Sequence, residues 1–389
     1  MQATKIGLTS IRTDGDKIEI VNQLLLPHAT EFIEINTIDE AHDAIKTMKI
    51  RGAPAIASLA ALAFAADLSR ALKSSADFVA SPESMRAYVE PVLAHLYTAR
   101  PTAVNLGAAT RRLTATLDAS IAAGKTGPDV CADLIAEAHK VNDEDVGRNK
   151  KMSQWGGDWL ADVVKQNGGS GTELNVLTVC NTGSLATSGY GTALGLITYL
   201  HETGKLGTAY YTQTAPYHQG SRLTALELQT LDIPSVMICD TMVGSLFQHH
   251  NIHAVVVGAD RVAKNGDTAN KVGLLSAPTT LPSSPHGHKI PFVVVAPIST
   301  VDLAIADGSG YDPHRTPAPT RSVPRPWRHP PPTEEAKQAV VMITPAGLKG
   351  IYNPSFDVTP AELITAIVTE KGVATRREGE LVFDLSGVV

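Results

Sequence analysis

Two hydrophobic periodicities divide the chain into two parts. Up to about residue 150, apolar residues recur mainly every three to four positions, which predicts helices. The predicted helices are Asp39–Met48, Ala53–Leu72, Met85–Tyr97, Leu106–Ala122 and Asp129–Arg148. Before them, Lys17–Leu26 alternates between apolar and polar residues, as in a strand of a hairpin. We therefore predict a mainly helical domain over residues 1–150.

From residue 151 onward, short runs rich in β-branched residues alternate with helical segments. The predicted strands are Leu174–Val179, Thr208–Thr212, Ser235–Cys239, Ala254–Val257 and Pro291–Val295. The helices predicted between them are Ser184–His201, Ser221–Leu231 and Val243–His250. This alternation predicts βαβ units and a buried parallel sheet. The expected fold is therefore α/β, with a Rossmann-like parallel-sheet domain over residues 151–389.

Three segments interrupt these patterns. Asn167–Gly171 is Gly-rich, Ser276–His288 is rich in Pro and Ser, and Tyr311–Thr333 contains repeated prolines. Proline lacks an amide hydrogen and cannot continue a helix or a central strand. We predict loops at the first two and a long loop or a disordered excursion at the third, and we regard the Pro-rich segment 311–333 as atypical for the domain that contains it.

Composition excludes several classes of protein. Hydrophobic residues make up 43% of the chain and charged residues 19%, which is typical of globular proteins. The net charge of -6 gives no general footprint for nucleic acid. The amino-terminal segment lacks the apolar run of a signal peptide, and apolar runs such as Ala53–Ala66 are too short to cross a bilayer. We expect a cytoplasmic protein that binds neither nucleic acid nor membranes.

The cysteines argue against a disulfide framework or a zinc site. Cys131, Cys180 and Cys239 are the only three, and no two form a CxxC pair. Cys180 differs from the others because it follows a predicted strand and precedes a predicted helix. Ligands of parallel sheets bind at the carboxyl ends of strands, and a helix amino terminus favours a thiolate. Cys180 is thus a candidate nucleophile, although a buried cysteine is more often inert packing, which is our interpretation of Cys131 and Cys239.

Two further clusters contain polar residues beside predicted elements. Asp260 follows the strand Ala254–Val257 and opens a dense polar loop that continues to Lys271. A carboxylate partly shielded from water can act as an acid or base, although an aspartate can also simply cap the next turn. Arg51 stands before the helix that starts near Pro54, an arrangement that suits a phosphate but also an ordinary surface turn. The polar loop lacks the carboxylate spacing of a calcium loop, so we expect no metal.

Several motifs together resemble those of the methylthioribose-1-phosphate isomerases. They are RGAPAIA (51–57), RPTAVNL (100–106), CNTGSLAT (180–187), QGSRLTALEL (219–228), GADRVAKNGDTANKVG (258–273) and NPSFDVTPAELI (353–364). The resemblance implies a helical amino-terminal domain, a Rossmann-like carboxyl-terminal domain and a homodimer. It also implies the conversion of 5-methylthioribose 1-phosphate to 5-methylthioribulose 1-phosphate in methionine salvage, without a cofactor, in the cytoplasm and also the nucleus.

The resemblance assigns roles to particular residues. Asp260 would be the proton donor, and Cys180 would assist the reaction or stabilise its transition state. The residues that would hold the phosphate and the sugar hydroxyls are Arg51, Gly52, Ala53, Arg100, Gln219, Asn270 and Lys271. One departure from the family pattern is Ala215, which stands where an arginine usually precedes the proline.

Two alternatives share the same architecture. A ribose-1,5-bisphosphate isomerase would need a second cluster of cations at the far end of the sugar. A regulatory subunit of the nucleotide exchange factor of translation initiation would bind protein partners and have no catalytic activity. Cys180 and Asp260, each within its motif, favour the methylthioribose-1-phosphate isomerase.

Overall fold

The structure is a computed structural model. It describes residues 8–102, 104–166, 173–271, 290–311, 354, 356–377 and 379–389. The predicted loops at 167–171 and 276–288, and the Pro-rich segment 311–333 apart from Tyr311, lie outside these residues.

The amino-terminal part begins with a small antiparallel sheet and continues with helices. The strands, in the order β1-β2-β3, are β1 (Ile11–Asp14), β2 (Lys17–Val21) and β3 (Phe32–Glu34). The helices are α1 (Ile38–Lys46), α2 (Ala53–Ser74), α3 (Pro82–Thr98), α4 (Val104–Ala122) and α5 (Gly127–Gln166). The predicted hairpin strand is confirmed over Lys17–Val21, and the first four predicted helices are confirmed to within a few residues.

Helix α2 forms the centre of this part. The apolar run Ala53–Ala66, considered from the sequence, is too short to cross a membrane. By its length and apolar composition, the whole helix could cross one. However, 78% of its most apolar stretch is buried inside the protein, against α4 and α5 among others. We therefore interpret α2 as a core helix.

Helix α5 is longer than predicted. The pair Gly156-Gly157 argues against a continuous helix in sequence terms, because glycine is a poor helix former. In the structure, a Cβ atom on Gly156 would lie 2.6 Å from Leu196 Cδ1, and one on Gly157 would lie 2.5 Å from Tyr199 Cδ1. The two glycines therefore permit a close helix–helix contact. The predicted division at residue 150 falls inside α5, and the division into 1–150 and 151–389 stays a prediction.

The second part alternates strands and helices, as predicted. In chain order the elements are β4 (Leu174–Thr178), α6 (Ala193–Glu202), β5 (Leu206–Thr212), α7 (Ala225–Thr230), β6 (Ser235–Ile238), α8 (Val243–His249), β7 (Ala254–Val257), β8 (Arg261–Ala263), β9 (Thr268–Lys271), β10 (Phe292–Val295), β11 (Val301–Asp302), β12 (Phe356–Thr359), β13 (Ala366–Thr369) and β14 (Gly372–Thr375).

Seven of these strands form the main sheet, in the order β14-β13-β10-β7-β4-β5-β6. All neighbouring pairs are parallel except β13 with β14. Every residue of β7, β10 and β13 is buried, as expected for a parallel sheet covered on both faces. The predicted α/β fold is confirmed. A second, four-stranded sheet, in the order β11-β8-β9-β12, follows directly from β7.

Candidate active site

The strand order of the main sheet opens a crevice between β4 and β7. The chain winds from β4 outward through β5 to β6, and then returns to β7 on the other side of β4. At such a reversal, neighbouring loops leave the sheet in opposite directions, and doubly wound folds bind ligands there. Cys180 comes two residues after β4, and Asp260 comes three residues after β7. The two candidate catalytic residues therefore flank this crevice.

The crevice is part of a cleft with a volume of about 510 Å³, measured out to its open mouth. All nine site residues expected from the sequence line it: Arg51, Gly52, Ala53, Arg100, Cys180, Gln219, Asp260, Asn270 and Lys271. They come from distant parts of the chain, and the fold brings all of them together.

Hydrogen bonds on both sides fix the backbone of Cys180, which has a left-handed φ of +68°. Its amide donates to Thr214 Oγ1 at 2.9 Å, and its carbonyl accepts from Thr224 Oγ1 at 2.6 Å. The Sγ atom lies 3.3 Å from Gln219 Oε1 and 3.8 Å from Arg51 Nη2. A thiol can donate to the glutamine oxygen, and a thiolate can accept from the guanidinium. The surroundings of Cys180 therefore suit a side chain that exchanges a proton.

The helix expected directly after Cys180 is shorter than predicted. Ser184–Ala186 form a single 3-10 turn, and α6 begins only at Ala193. Gly189 and Gly191 between them have φ values of +151° and +90°, which a continuous α-helix excludes. The expectation that a helix amino terminus stabilises the thiolate is therefore wrong. Arg51 lies next to the thiol instead, and Lys271 also interacts electrostatically with Cys180.

The turn that contains Gly52 places the amino end of α2 at the cleft. Gly52 caps α2 with a φ of +102°, and a Cβ atom there would lie 2.2 Å from the carbonyl oxygen of Ala186. Both the positive φ and the close carbonyl oxygen of Ala186 therefore require glycine at position 52. Because the first amides of a helix have no partner within the helix, this end of α2 offers donors to an anion.

Two arginines lie beside this helix end. Arg51 is 4% exposed, and its two terminal nitrogens donate to the carbonyl oxygen of Asn181 at 2.9 and 2.5 Å. Burial lowers the pKa of Arg100, and the nearby carboxylate of Asp260 acts in the opposite direction. The buried Nη1 of Arg100 has no hydrogen-bond partner within the described part of the chain. Arg100 therefore has a donor available for a ligand.

The segment after Asp260 is a β-hairpin, so the prediction of a polar loop up to Lys271 is wrong. The amide of Asp260 donates to the carbonyl of Ala269 at 2.9 Å, and Asn270 Nδ2 donates to the carbonyl of Gly258 at 2.6 Å. These bonds join strand β9 to the end of β7. They place Asn270 and Lys271 beside Asp260 at the cleft.

Lys271 is a buried cation whose charge changes near neutral pH. Its side chain is 6% exposed, and Nζ lies 4.8 Å from the ring centre of Phe356 and 5.4 Å from that of Tyr217. Burial, followed by the positive charge of Arg100, lowers the pKa of Lys271 to about 8. Together with Arg51 and Arg100, it gives the cleft three cations and, among the residues lining it, one carboxylate, Asp260. This excess of positive charge suits a dianionic phosphate.

Sequence reasoning missed Glu227, which lies behind the wall of the cleft. The side chain is 3% exposed and accepts hydrogen bonds from the segment that follows Cys180. Burial raises the pKa of Glu227, although these hydrogen bonds and Arg51 act in the opposite direction. In the sequence, this charged residue stands between the apolar residues Leu226 and Leu228. That position could have indicated a buried carboxylate, which is rare in proteins unless it has hydrogen-bond or ion-pair partners.

The described residues contain no group of three or more His, Cys, Asp or Glu side chains that could hold a metal ion. The expectation that the site works without a metal or a cofactor stays a prediction.

Comparisons with known proteins agree with this geometry. The sequence profile of the Initiation factor 2 subunit family matches residues 49–376. The methylthioribose-1-phosphate isomerase of Laccaria bicolor is 69% identical over 387 residues, covering 99% of this chain and 100% of the relative. The chain belongs to the methylthioribose-1-phosphate isomerases of this family. The isomerase of Postia placenta, another member, is 64% identical over 388 residues and covers 98% of this chain and 100% of its own.

Solved structures extend the family comparison to distant organisms. The 5-methylthioribose 1-phosphate isomerase of Pyrococcus horikoshii OT3 has a TM-score of 0.72 and 30% identity, covering 94% of this chain and 92% of its own. The translation initiation factor eIF-2B, subunit delta, of A. fulgidus has a TM-score of 0.68 and 33% identity, covering 95% of this chain and 96% of its own. The fold is therefore shared by proteins whose names give different functions.

Proposed function

We propose that this protein is a methylthioribose-1-phosphate isomerase of methionine salvage, which converts 5-methylthioribose 1-phosphate to 5-methylthioribulose 1-phosphate. The observation that carries the proposal is the meeting of Cys180 and Asp260 at neighbouring strand ends, in one cleft with three cations. The 69% identity to a relative named for this activity supports it over nearly the whole chain.

The phosphate defines how the sugar is held. Arg51, Arg100 and Lys271, with the amino end of α2 at Gly52 and Ala53, anchor the dianion away from the reacting carbons. Gln219 and Asn270 are the neutral polar side chains that hold the sugar hydroxyls. Anchoring a group that does not react supplies binding energy for orienting the part that does.

The reaction begins with ring opening, because phosphate on the anomeric oxygen blocks the free aldehyde. Asp260 donates a proton to the ring oxygen as its bond to C1 breaks. One hydrogen then moves from C2 to C1, and a ketone forms at C2 as the C2 hydroxyl loses its proton, which restores the protonated form of Asp260. The sugar gains one proton on the ring oxygen and loses one from the C2 hydroxyl. This balance is the same whether the hydrogen moves from C2 to C1 as a proton through an enol or as a hydride. Cys180 lies on the opposite side of the crevice and stabilises the transition state.

A turnover assay with methylthioribose 1-phosphate tests the proposal. Cys180→Ser and Asp260→Asn should each lower kcat by about 10²- to 10⁴-fold, the range for groups that handle protons in the transition state. Cys239→Ser and Asp307→Asn are matched controls outside the cleft and should keep wild-type turnover. Wild-type turnover in both site variants would contradict the assigned roles, and no turnover in the wild type would contradict the function.

The structural similarity to the A. fulgidus protein supports a second candidate, a regulatory subunit of the translation-initiation exchange factor. That function needs binding to other exchange-factor subunits and no isomerase activity. Co-purification with those subunits, combined with an inactive wild-type protein, would favour it.

Ribose 1,5-bisphosphate is the rival substrate. A second phosphate would need a second cluster of cations, whereas the cations among the residues lining the cleft are Arg51, Arg100 and Lys271. We therefore expect methylthioribose 1-phosphate to give the higher kcat/KM when the two sugars compete.

We further propose a homodimer located in the cytoplasm and the nucleus, as the sequence resemblance implies. Support for the dimer comes from strand β6 at the edge of the main sheet, where Val236 and the nearby Met242 are 45% and 50% exposed. Light scattering on the purified protein should give twice the mass of one 41.1 kDa chain. Imaging of a fluorescent fusion tests the location.

A further inference from the structure

Glu227 receives three hydrogen bonds from a single turn of the chain. Its Oε1 accepts from Asn181 Nδ2 at 2.8 Å and from the amide of Leu185 at 3.2 Å, and its Oε2 accepts from the amide of Ser184 at 2.6 Å. The turn also packs directly on the carboxylate, because a Cβ atom on Gly183 would lie 2.2 Å from Oε2. A buried carboxylate with these donors fixes the turn 181–185 in one position.

The same turn holds the cation next to the thiol. The carbonyl of Asn181 accepts both terminal nitrogens of Arg51, at 2.9 and 2.5 Å, and Nη2 of Arg51 also lies 3.8 Å from Cys180 Sγ. Glu227 itself does not line the cleft. Its hydrogen bond to Asn181 therefore connects it to Arg51.

We propose that Glu227 is a positioning residue for the isomerase: it holds the turn 181–185 so that Arg51 stays next to both Cys180 and the phosphate site. Its effect on turnover rests on the proposed function, but its effect on the binding of inorganic phosphate can be measured whatever the reaction is. Glutamine cannot replace it, because an amide nitrogen would face one of the N–H donors that now point at a carboxylate oxygen.

The Glu227→Gln variant tests the proposal without substrate. The affinity for inorganic phosphate, measured by calorimetry, should fall about tenfold relative to the wild type, because Arg51 is no longer held at the phosphate site. This readout does not depend on turnover.

Asp145→Asn is the matched control. Asp145 is also 3% exposed, and it likewise accepts from a backbone amide, that of Ser188 at 2.7 Å, and from an asparagine, Asn149 at 3.1 Å. It has no hydrogen bond to Arg51 or Asn181 in the described part of the chain. Its loss should lower stability to a similar degree and leave the affinity for inorganic phosphate unchanged.

A second variant covers the case in which Glu227→Gln does not fold. Asn181→Ala removes the side-chain bond to Glu227 and keeps the backbone carbonyl that holds Arg51, so it should weaken phosphate binding by a smaller factor. Wild-type phosphate affinity in a folded Glu227→Gln protein overturns the proposal, and so does wild-type affinity in Asn181→Ala if Glu227→Gln is unfolded.

Turnover completes the test. In Glu227→Gln, kcat should fall and KM should rise, each by about tenfold, because Arg51 serves both the thiol and the phosphate. A wild-type protein without turnover would refute the proposed function, whereas the phosphate affinities of the variants would still decide the role of Glu227.

Discussion

At the scale of single residues, Lys271 gives the cleft a charge that depends on pH. Burial lowers its pKa to about 8, so the side chain loses its proton just above neutrality. Phosphate esters are dianions above about pH 6. Between about pH 6 and pH 8, the phosphate is therefore a dianion and Lys271 is protonated.

We therefore predict that substrate affinity falls as pH rises above 8. Calorimetry with the Asp260→Asn protein, which holds the substrate without converting it, should show a loss of up to about tenfold per pH unit. In this variant the loss should begin at a lower pH than in the wild type, because the Asp260 carboxylate raises the pKa of Lys271. Adding Lys271→Arg should remove this dependence, because arginine stays protonated. An equally steep decline in the double variant would show that another group is responsible.

Sequence reasoning located those cleft residues whose position along the chain predicts where they lie in the fold. Cys180 and Asp260 each follow an apolar strand, and the carboxyl ends of parallel strands meet at one edge of a sheet. Glu227 could not be assigned in this way, because its role depends on which turn packs against it. The group beside Cys180 was wrongly predicted for the same reason: a helix amino terminus was expected, whereas Arg51, 129 positions away in the chain, lies next to the sulfur.

At the scale of elements, the start of α2 is set by Gly52 rather than by a side-chain cap. Its φ of +102° and its contact with the carbonyl of Ala186 both exclude a Cβ atom. The end of α4 offers a comparison, since Gly124 has a φ of +69° and nothing within 4 Å of an added Cβ.

Alanine at these two glycines should therefore have unequal effects. Gly124→Ala should cost only the backbone strain, about 1 kcal/mol of unfolding free energy. Gly52→Ala should cost more, and it should also weaken phosphate binding because the amino end of α2 must shift. Denaturant unfolding and phosphate titration measure both effects, and equal losses of stability would contradict the steric argument.

Element types were easier to predict than element ends. The predicted strand segments Leu174–Val179 and Ala254–Val257 are strands, because their apolar runs are buried on both faces. The predicted helix Ser184–His201 contained two glycines that the structure uses at positive φ, whereas the glycine pair in α5 stays helical. Glycine alone does not distinguish these cases, because the deciding factor is the element packed against it.

At the scale of the whole molecule, α5 belongs to two hydrophobic cores. Leu134 is buried in the core of the helical part, and Leu160 is buried in a core beneath the main sheet. Both side chains have no exposed surface. A helix that is part of both cores couples their stability.

We predict that the protein unfolds in a single transition. Leu134→Ala and Leu160→Ala should each lower the unfolding free energy by about 2–5 kcal/mol, and both should shift the same transition. Calorimetry measures this directly. Two separate transitions, each shifted by only one of the substitutions, would instead support independent domains on either side of residue 150.

The continuity of α5 also restricts how the chain can change its length. One inserted residue in a helix advances everything beyond it by about 1.5 Å and rotates it by about 100°. An insertion between Leu134 and Leu160 would turn one apolar face away from its core while the other stayed in place. Evolution can lengthen the surface loops of this protein, but within α5 insertions and deletions should be strongly selected against.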